Sequence, residues 1–218
     1  MDRAADAIIG LYQRHAAAWT EAREAGFDPA RILERGWLER FAALLPRPAS
    51  VLDLGCGGGV PIADWLIARG DALTGIDSSP AMIARCRARF PGHAWQLGDM
   101  RGLALGRRFH GILAWDSFFH LRGADQRAMF AVFAAHALPG AALMFTSGPR
   151  EGIAIGTLAC ESLFHASLDA DEYRALLDAH GFDLVSHVAD DQECGGHTVW
   201  LARFRITPAA RPPGATDR

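Results

Sequence analysis

Residues 53–59 read Asp-Leu-Gly-Cys-Gly-Gly-Gly, and a second acid, Asp77, closes the apolar run Ala72-Leu73-Thr74-Gly75-Ile76. Gly55, Gly57 and Gly59 recur at every second position, where a strand must turn sharply into a helix. Glycine there combines unusual backbone angles with a surface that a ligand can approach closely. A carboxylate at the tip of the following strand can accept hydrogen bonds from both hydroxyls of a ribose. Loop and acid together point to an adenosine-containing ligand. The nicotinamide fingerprint G-x-G-x-x-G needs a small third residue where, counting from Gly55 and Gly57, Val60 stands. That fit is partial.

Asp53, Gly55, Gly57 and Gly59 occupy all four defining positions of a D-x-G-x-G-x-G motif, Asp77 ends the second strand, and Gly98-Asp99-Met100 follows the third. On these residues the chain resembles the class I S-adenosylmethionine-dependent methyltransferases over roughly residues 10–205, and looks closest to the small bacterial enzymes acting on small molecules. The resemblance implies S-adenosyl-L-methionine as cofactor. It fixes the acceptor far less well, because one fold carries many substrates. Two alternatives stand beside it: a non-catalytic S-adenosylmethionine-binding regulator and a nicotinamide-dependent oxidoreductase. The latter lacks a Tyr-Lys relay, since the chain contains no lysine.

Residues at strand tips are then the cofactor candidates: Asp77 for the ribose, Ser78 and Met82 beside the adenine, Asp99 for its exocyclic amine, and Met100 against the ring. Arg101 is placed to tie Asp99, and Pro61 follows the glycine loop. Cys56 reads as a small residue tolerated in a tight turn rather than as a nucleophile. The fourth strand ends in Trp115-Asp116-Ser117-Phe118-Phe119-His120, where the resemblance puts the methionine portion and the methyl group. Aromatic faces attract a sulfonium cation. Trp115, Asp116 and Phe119 are therefore assigned to the cofactor, and Phe119 and His120 are expected to face the cleft. His120 is the general-base candidate, an ordinary imidazole titrating near neutrality. His165 and His197 are the other histidines expected on the substrate side. No metal site is expected, because the nine histidines show no paired helical spacing. The stripe Tyr12, His15, Trp19 suggests a first helix packed by that face, and the resemblance implies that this helix covers the cofactor, with Tyr12 or Trp19 closing over its amino acid end.

The elements that must position these groups alternate. Helical spacing covers 3–20 and 31–45; then come strand 50–54, helix 60–69, strand 72–76, helix 79–89, strand 93–97, strand 109–115, helix 124–138 and strand 141–146. Residues 147–166 read as irregular, 168–180 as a helix, and 183–188 and 197–204 as a final antiparallel hairpin. This is an α/β chain with one doubly wound, seven-stranded, mostly parallel sheet, Rossmann-like, with N-terminal lid helices over 1–45. One domain over 1–205 and a disordered tail over 206–218 are expected.

The formal net charge of -3 gives no footprint for a polyanion, so nucleic acid is not an expected partner. His136, Pro139 and Gly140 break the most apolar stretch, 129–145, and no membrane span is expected. The four scattered cysteines fit reduced thiols in a cytoplasm. A monomer or homodimer acting on a small-molecule methyl acceptor is the resulting expectation.

Overall fold

The computed structural model describes residues 2–24 and 32–206. All but the first residue of the expected tail, and the first residue of the expected second helix, lie outside them. Helix α1 (Asp2–Glu24) and helix α2 (Arg35–Ala43) precede an alternating run: β1 (Ser50–Leu54), α3 (Ile62–Ala68), β2 (Ala72–Asp77), α4 (Pro80–Arg89), β3 (Ala94–Leu97) and β4 (Phe109–Ala114). It continues through α5 (Gly123–His136), β5 (Ala137–Ser147), β6 (Gly152–Leu158), β7 (Glu161–Ser167), α6 (Ala170–Ala179), β8 (Phe182–Asp191) and β9 (His197–Phe204).

Seven strands form one sheet in the order β3-β2-β1-β4-β5-β9-β8, parallel from β3 to β5, with β9 antiparallel to both β5 and β8. Strand order reverses between β1 and β4, which opens a crevice above their carboxyl ends. Buried Val51 and Leu113 join Trp37, Phe41, Leu66 and Ile83 in one hydrophobic cluster, and Leu52 and Ile112 join Phe130, Phe145, Tyr173 and Trp200 in the other. Adjacent residues of one strand thus serve opposite faces, the two-layer burial of a doubly wound sheet.

Helix limits have local causes. Ser79 caps α4, its hydroxyl accepting from the Met82 amide, with Pro80 in the first turn; Asp169 caps α6 by accepting from the Asp171 amide. Two expectations need correction. Pro139-Gly140 does not end a helix before a short strand, because α5 stops at His136 and the pair forms a bulge inside β5, between the pairings Phe109↔Ala137 and Gly111↔Ala142. Residues 147–166 are not irregular throughout: β6 and β7 make a separate two-stranded antiparallel sheet. Among the described residues no helix is long and apolar enough to cross a membrane.

Candidate active site

The glycine loop is built on left-handed backbone, with φ of 77°, 53° and 85° at Gly55, Gly57 and Gly59. The amides of Gly55 and Cys56 both donate to the Ile76 carbonyl, at 2.7 and 3.1 Å, which fastens the loop to β2. A Cβ on Gly55 would stand 2.3 Å from the Ser117 Cβ, so the loop and the β4 tip approach each other only because no side chain intervenes. Asp77 completes the frame. Its Oδ2 accepts from the Gly57 amide at 2.9 Å and its Oδ1 from the Ser79 amide at 2.8 Å. Burial pushes this carboxyl up, and the amides of Ser79, Gly57 and Ser78 hold it back. Asp53 lies deeper, where burial, helped by the Asp77 charge, pushes its carboxyl up to about 7.

A cleft of about 1300 Å³, open mouth included, lies above this loop. Tyr12, Trp19, Asp53, Gly55, Cys56, Gly57, Gly59, Pro61, Asp77, Ser78, Met82, Asp99, Met100, Arg101, Trp115 and Asp116 all border it. Phe119 does not; it turns away from the expected cofactor side and lines a second cavity instead. Both oxygens of Asp99 accept from Arg101, at 2.6–3.1 Å, and burial of the carboxyl is outweighed by that guanidinium, which holds it below the usual carboxylate range. A hydrogen bond with Cys86, and burial, raise the Cys56 thiol well above its ordinary value, which suits a packed small residue and not a nucleophile. The buried Trp115 Nε1–H finds no acceptor among the described residues.

Helix α1 covers the cleft and is clamped along its length. Asp6 pairs with Arg122 at 2.8 Å, the Ser79 hydroxyl donates to Gln13 at 2.9 Å, and Arg14 and His15 both bind Glu161 on β7. Trp19 lies over the glycine loop, 3.3 Å from where a Gly57 Cβ would be. Arg23 bonds Glu34 at 2.5 Å and Asp116 at 3.5 Å. Asp6, Arg23, Ser117 and Arg122 are cleft residues that the sequence reading missed. Arg23 continues the stripe of Tyr12 and Trp19, four residues beyond Trp19, and following it would have pointed there; Asp6 lies on the same helix but off that stripe.

The three candidate histidines separate sharply. His120 borders the cleft, yet burial pulls its imidazole down to about 4, with the neighbouring His165 acting in the same direction. Its Nδ1 must donate to the Phe164 carbonyl at 2.8 Å, leaving Nε2 to accept from the Tyr12 hydroxyl at 2.9 Å. Both nitrogens are spent, so the expected near-neutral free base is corrected to a neutral, engaged imidazole. His197 is engaged in the opposite sense. Hydrogen bonds to Asp116, 3.0 Å from Nε2, and to Cys194, 2.5 Å from Nδ1, raise it to about 10, so it stands as an imidazolium at neutral pH. His165 sits half-buried against Phe119 and His120 through ring contacts alone, and its nitrogens have no partner among the described residues.

His165, His197, Phe119 and Asp116 line the second cavity, which lies between the end of β5 and the base of the β6–β7 ribbon. Asp116 is the only described residue that borders both spaces.

Residues 51–140 match the model of a family described as "Methyltransferase domain". A dTDP-3-amino-3,6-dideoxy-α-D-glucopyranose N,N-dimethyltransferase of Streptomyces fradiae is 38% identical over 96 residues, 43% of this chain and 37% of that protein. A dTDP-3-amino-3,4,6-trideoxy-α-D-glucopyranose N,N-dimethyltransferase of Streptomyces venezuelae is 33% identical over 97 residues, 44% and 40% of the two chains. The matched segments thus span about two fifths of the length of these relatives. Among solved structures, an amino pentose methyltransferase of Micromonospora echinaspora with bound S-adenosylmethionine superposes with a TM-score of 0.65 at 20% identity, covering 89% of this chain and 97% of that one. The 1,6-didemethyltoxoflavin-N1-methyltransferase of Burkholderia thailandensis gives 0.67 at 20% identity, covering 92% and 87%. Residues 51–140 are thus similar to a methyltransferase domain, and the described chain shares the fold of these solved structures, with the glycine loop at the head of the matched segment.

Proposed function

We propose that the chain binds S-adenosyl-L-methionine in the cleft beneath α1 and transfers its methyl group to a small-molecule acceptor. The observation that carries this reading is Asp77: one carboxylate organises the glycine loop and keeps further lone pairs with which it would accept from the hydroxyls of a ribose. The residues also fit the cofactor at its other end. Trp115 holds a buried, unpartnered N–H on the cleft wall, and the amino acid portion of S-adenosylmethionine carries a carboxylate able to accept it.

When bound, the cofactor supplies an electrophilic methyl on a sulfonium. Because that carbon is already activated, the chain's work is placement: holding two reactants in line is worth about 7–11 kcal/mol in well-oriented systems. Asp77 would hold one end of the cofactor and Trp115 the other, and Tyr12 with Trp19 would keep water from the middle. The hydroxyl of Tyr12 stays protonated, burial and the Asp116 charge both raising its titration. The Streptomyces relatives are named for dTDP-linked amino sugars, which supports a small molecule as the acceptor class.

Calorimetric titration with S-adenosylmethionine, S-adenosylhomocysteine and NADH tests the reading. Binding of the first two and not of NADH is expected. Binding of NADH alone would return the glycine loop to the oxidoreductases, and cofactor saturation without turnover on any acceptor would favour a regulator.

A further inference from the structure

Asp116 stands between the two spaces in an unusual posture. Its backbone is left-handed, φ 48°, a conformation that disfavours a residue with a Cβ and that Asp tolerates better than most. The posture is held from several sides. Its amide donates to the Thr146 hydroxyl at 2.9 Å, its Oδ1 accepts from His197 at 3.0 Å, and its Oδ2 lies 3.5 Å from Arg23. The side chain remains 22% exposed, so the carboxylate still presents lone pairs to the junction.

We propose that the second cavity receives the methyl acceptor as an amine, with Asp116 facing its nitrogen and His165 taking the nitrogen's proton. This rests on the function proposed above. Attack by the amine lone pair forms the N–C bond while the C–S electron pair stays with sulfur. Positive charge therefore moves from sulfur to nitrogen, and a carboxylate at the junction interacts favourably with it throughout. The methylated nitrogen then sheds a proton to the ring of His165. His120 cannot take that proton, because the Phe164 carbonyl and the Tyr12 hydroxyl occupy its two nitrogens, and His197 is held as an imidazolium between Asp116 and Cys194.

His165 alone of the three offers an open lone pair, on the wall of the second cavity. Burial keeps it below its ordinary value and hence neutral, with the Asp116 charge opposing. A neutral imidazole is far nearer in basicity to an amine than to an alkoxide, so an ammonium proton is the one it can take. An aliphatic hydroxyl, a far weaker acid, is beyond it.

Diethyl pyrocarbonate, which acylates neutral accessible imidazoles, gives a readout independent of turnover. Trypsin releases Glu151–Arg174 with His165 as its single histidine, so modification is assigned by mass. His165 is expected to react before His120 and His197, and S-adenosylhomocysteine with cyclohexyltrimethylammonium, which cannot consume the reagent, is expected to protect it. Modification of His120 or His197 first, or absence of protection, would overturn the proposal.

The second arm follows radiolabelled methyl transfer to cyclohexylamine and cyclohexanol. The amine is expected to be methylated and the alcohol not. His165→Gln is expected to lower kcat by about 10²-fold while S-adenosylhomocysteine affinity stays within about twofold. Transfer to the alcohol at a comparable rate, no transfer to the amine by a chain that binds cofactor, or an unchanged kcat in His165→Gln would each sink it. Failure to bind S-adenosylhomocysteine at all is the separate failure of the function itself.

Discussion

The two halves of the site are built from different materials. On the glycine-loop side, contacts are short in sequence and run largely from backbone amides to carboxylates: Gly57 and Ser79 onto Asp77, Arg101 onto Asp99. On the α1 side, side chain meets side chain across 81 to 147 residues, as in His197 with Asp116, Tyr12 with His120, His15 and Arg14 with Glu161. A frame made of backbone demands particular spacings and leaves a signature. A frame made of side-chain pairs can be met by many pairs and leaves none, which suits the half that has to change with the acceptor.

Removing Asp77 strikes the backbone-built half hardest. Asp77→Ala deletes a charged acceptor for two loop amides and for the ribose, and hydrogen bonds to charged groups contribute about 1.5–3 kcal/mol each. Cofactor affinity measured by calorimetry is expected to fall at least about tenfold. A loss under about threefold would mean that the glycines alone preorganise the loop, erasing the distinction between the halves.

The pair His197–Asp116 probes the other half through pH. The folded imidazolium is held up at about 10, above the ordinary value of an imidazole. Its contribution is therefore fully present below about pH 6.5 and is lost as pH rises toward 10. The side chain is 22% exposed, and solvent screening reduces the effect to about 1–2 kcal/mol. Thermal unfolding should show stability declining between pH 7 and pH 10 in the native chain, and a flatter profile in Asp116→Asn. Equal slopes would show that the pair carries no net coupling.

The same division governs what could be read from the sequence. Strands β1, β2 and β4, helix α4 with its Ser79-Pro80 start, and the cleft residues from Asp53 to Arg101 follow from local spacing. The β6–β7 ribbon was missed because its alternating residues Ile153 and Ile155 face solvent, half exposed, and its turn places Ala159 and Cys160 at positive φ without the usual glycine or asparagine. Pro139-Gly140 read as a stop signal and is a bulge. The state of His120 was illegible because its lone pair is taken by a tyrosine 108 residues away. Phe119 was assigned to the cleft from its strand tip, but the 3-10 turn Phe118–His120 buries Phe118 completely and turns Phe119 to the second cavity.

Trp115 lies where the halves meet, and its single donor gives a finer test. Trp115→Phe keeps most of the packing and removes one neutral N–H, so cofactor affinity is expected to fall by about twofold to tenfold. Stability without cofactor should be unchanged or slightly higher, because an unpaired buried donor disappears. A loss of stability with affinity intact would assign the indole to the core alone.

The smallest effect is expected where the side-chain half reaches the surface. Glu161 accepts from Arg14 and His15, but its side chain is 44% exposed, and both partners approach from the solvent edge of α1. Exposed pairs gain little Coulomb energy and lose it to salt. Glu161→Gln preserves the shape and one acceptor while removing the charge, so S-adenosylhomocysteine affinity at physiological salt should change by at most about twofold. The remaining clamps, Asp6–Arg122, Gln13–Ser79, Tyr12–His120 and Arg23–Glu34, would still hold the helix over the cleft. A larger loss, disappearing at high salt, would show that the cover depends on this one charge. The acceptor half would then be as sensitive to a single carboxylate as the cofactor half is to Asp77.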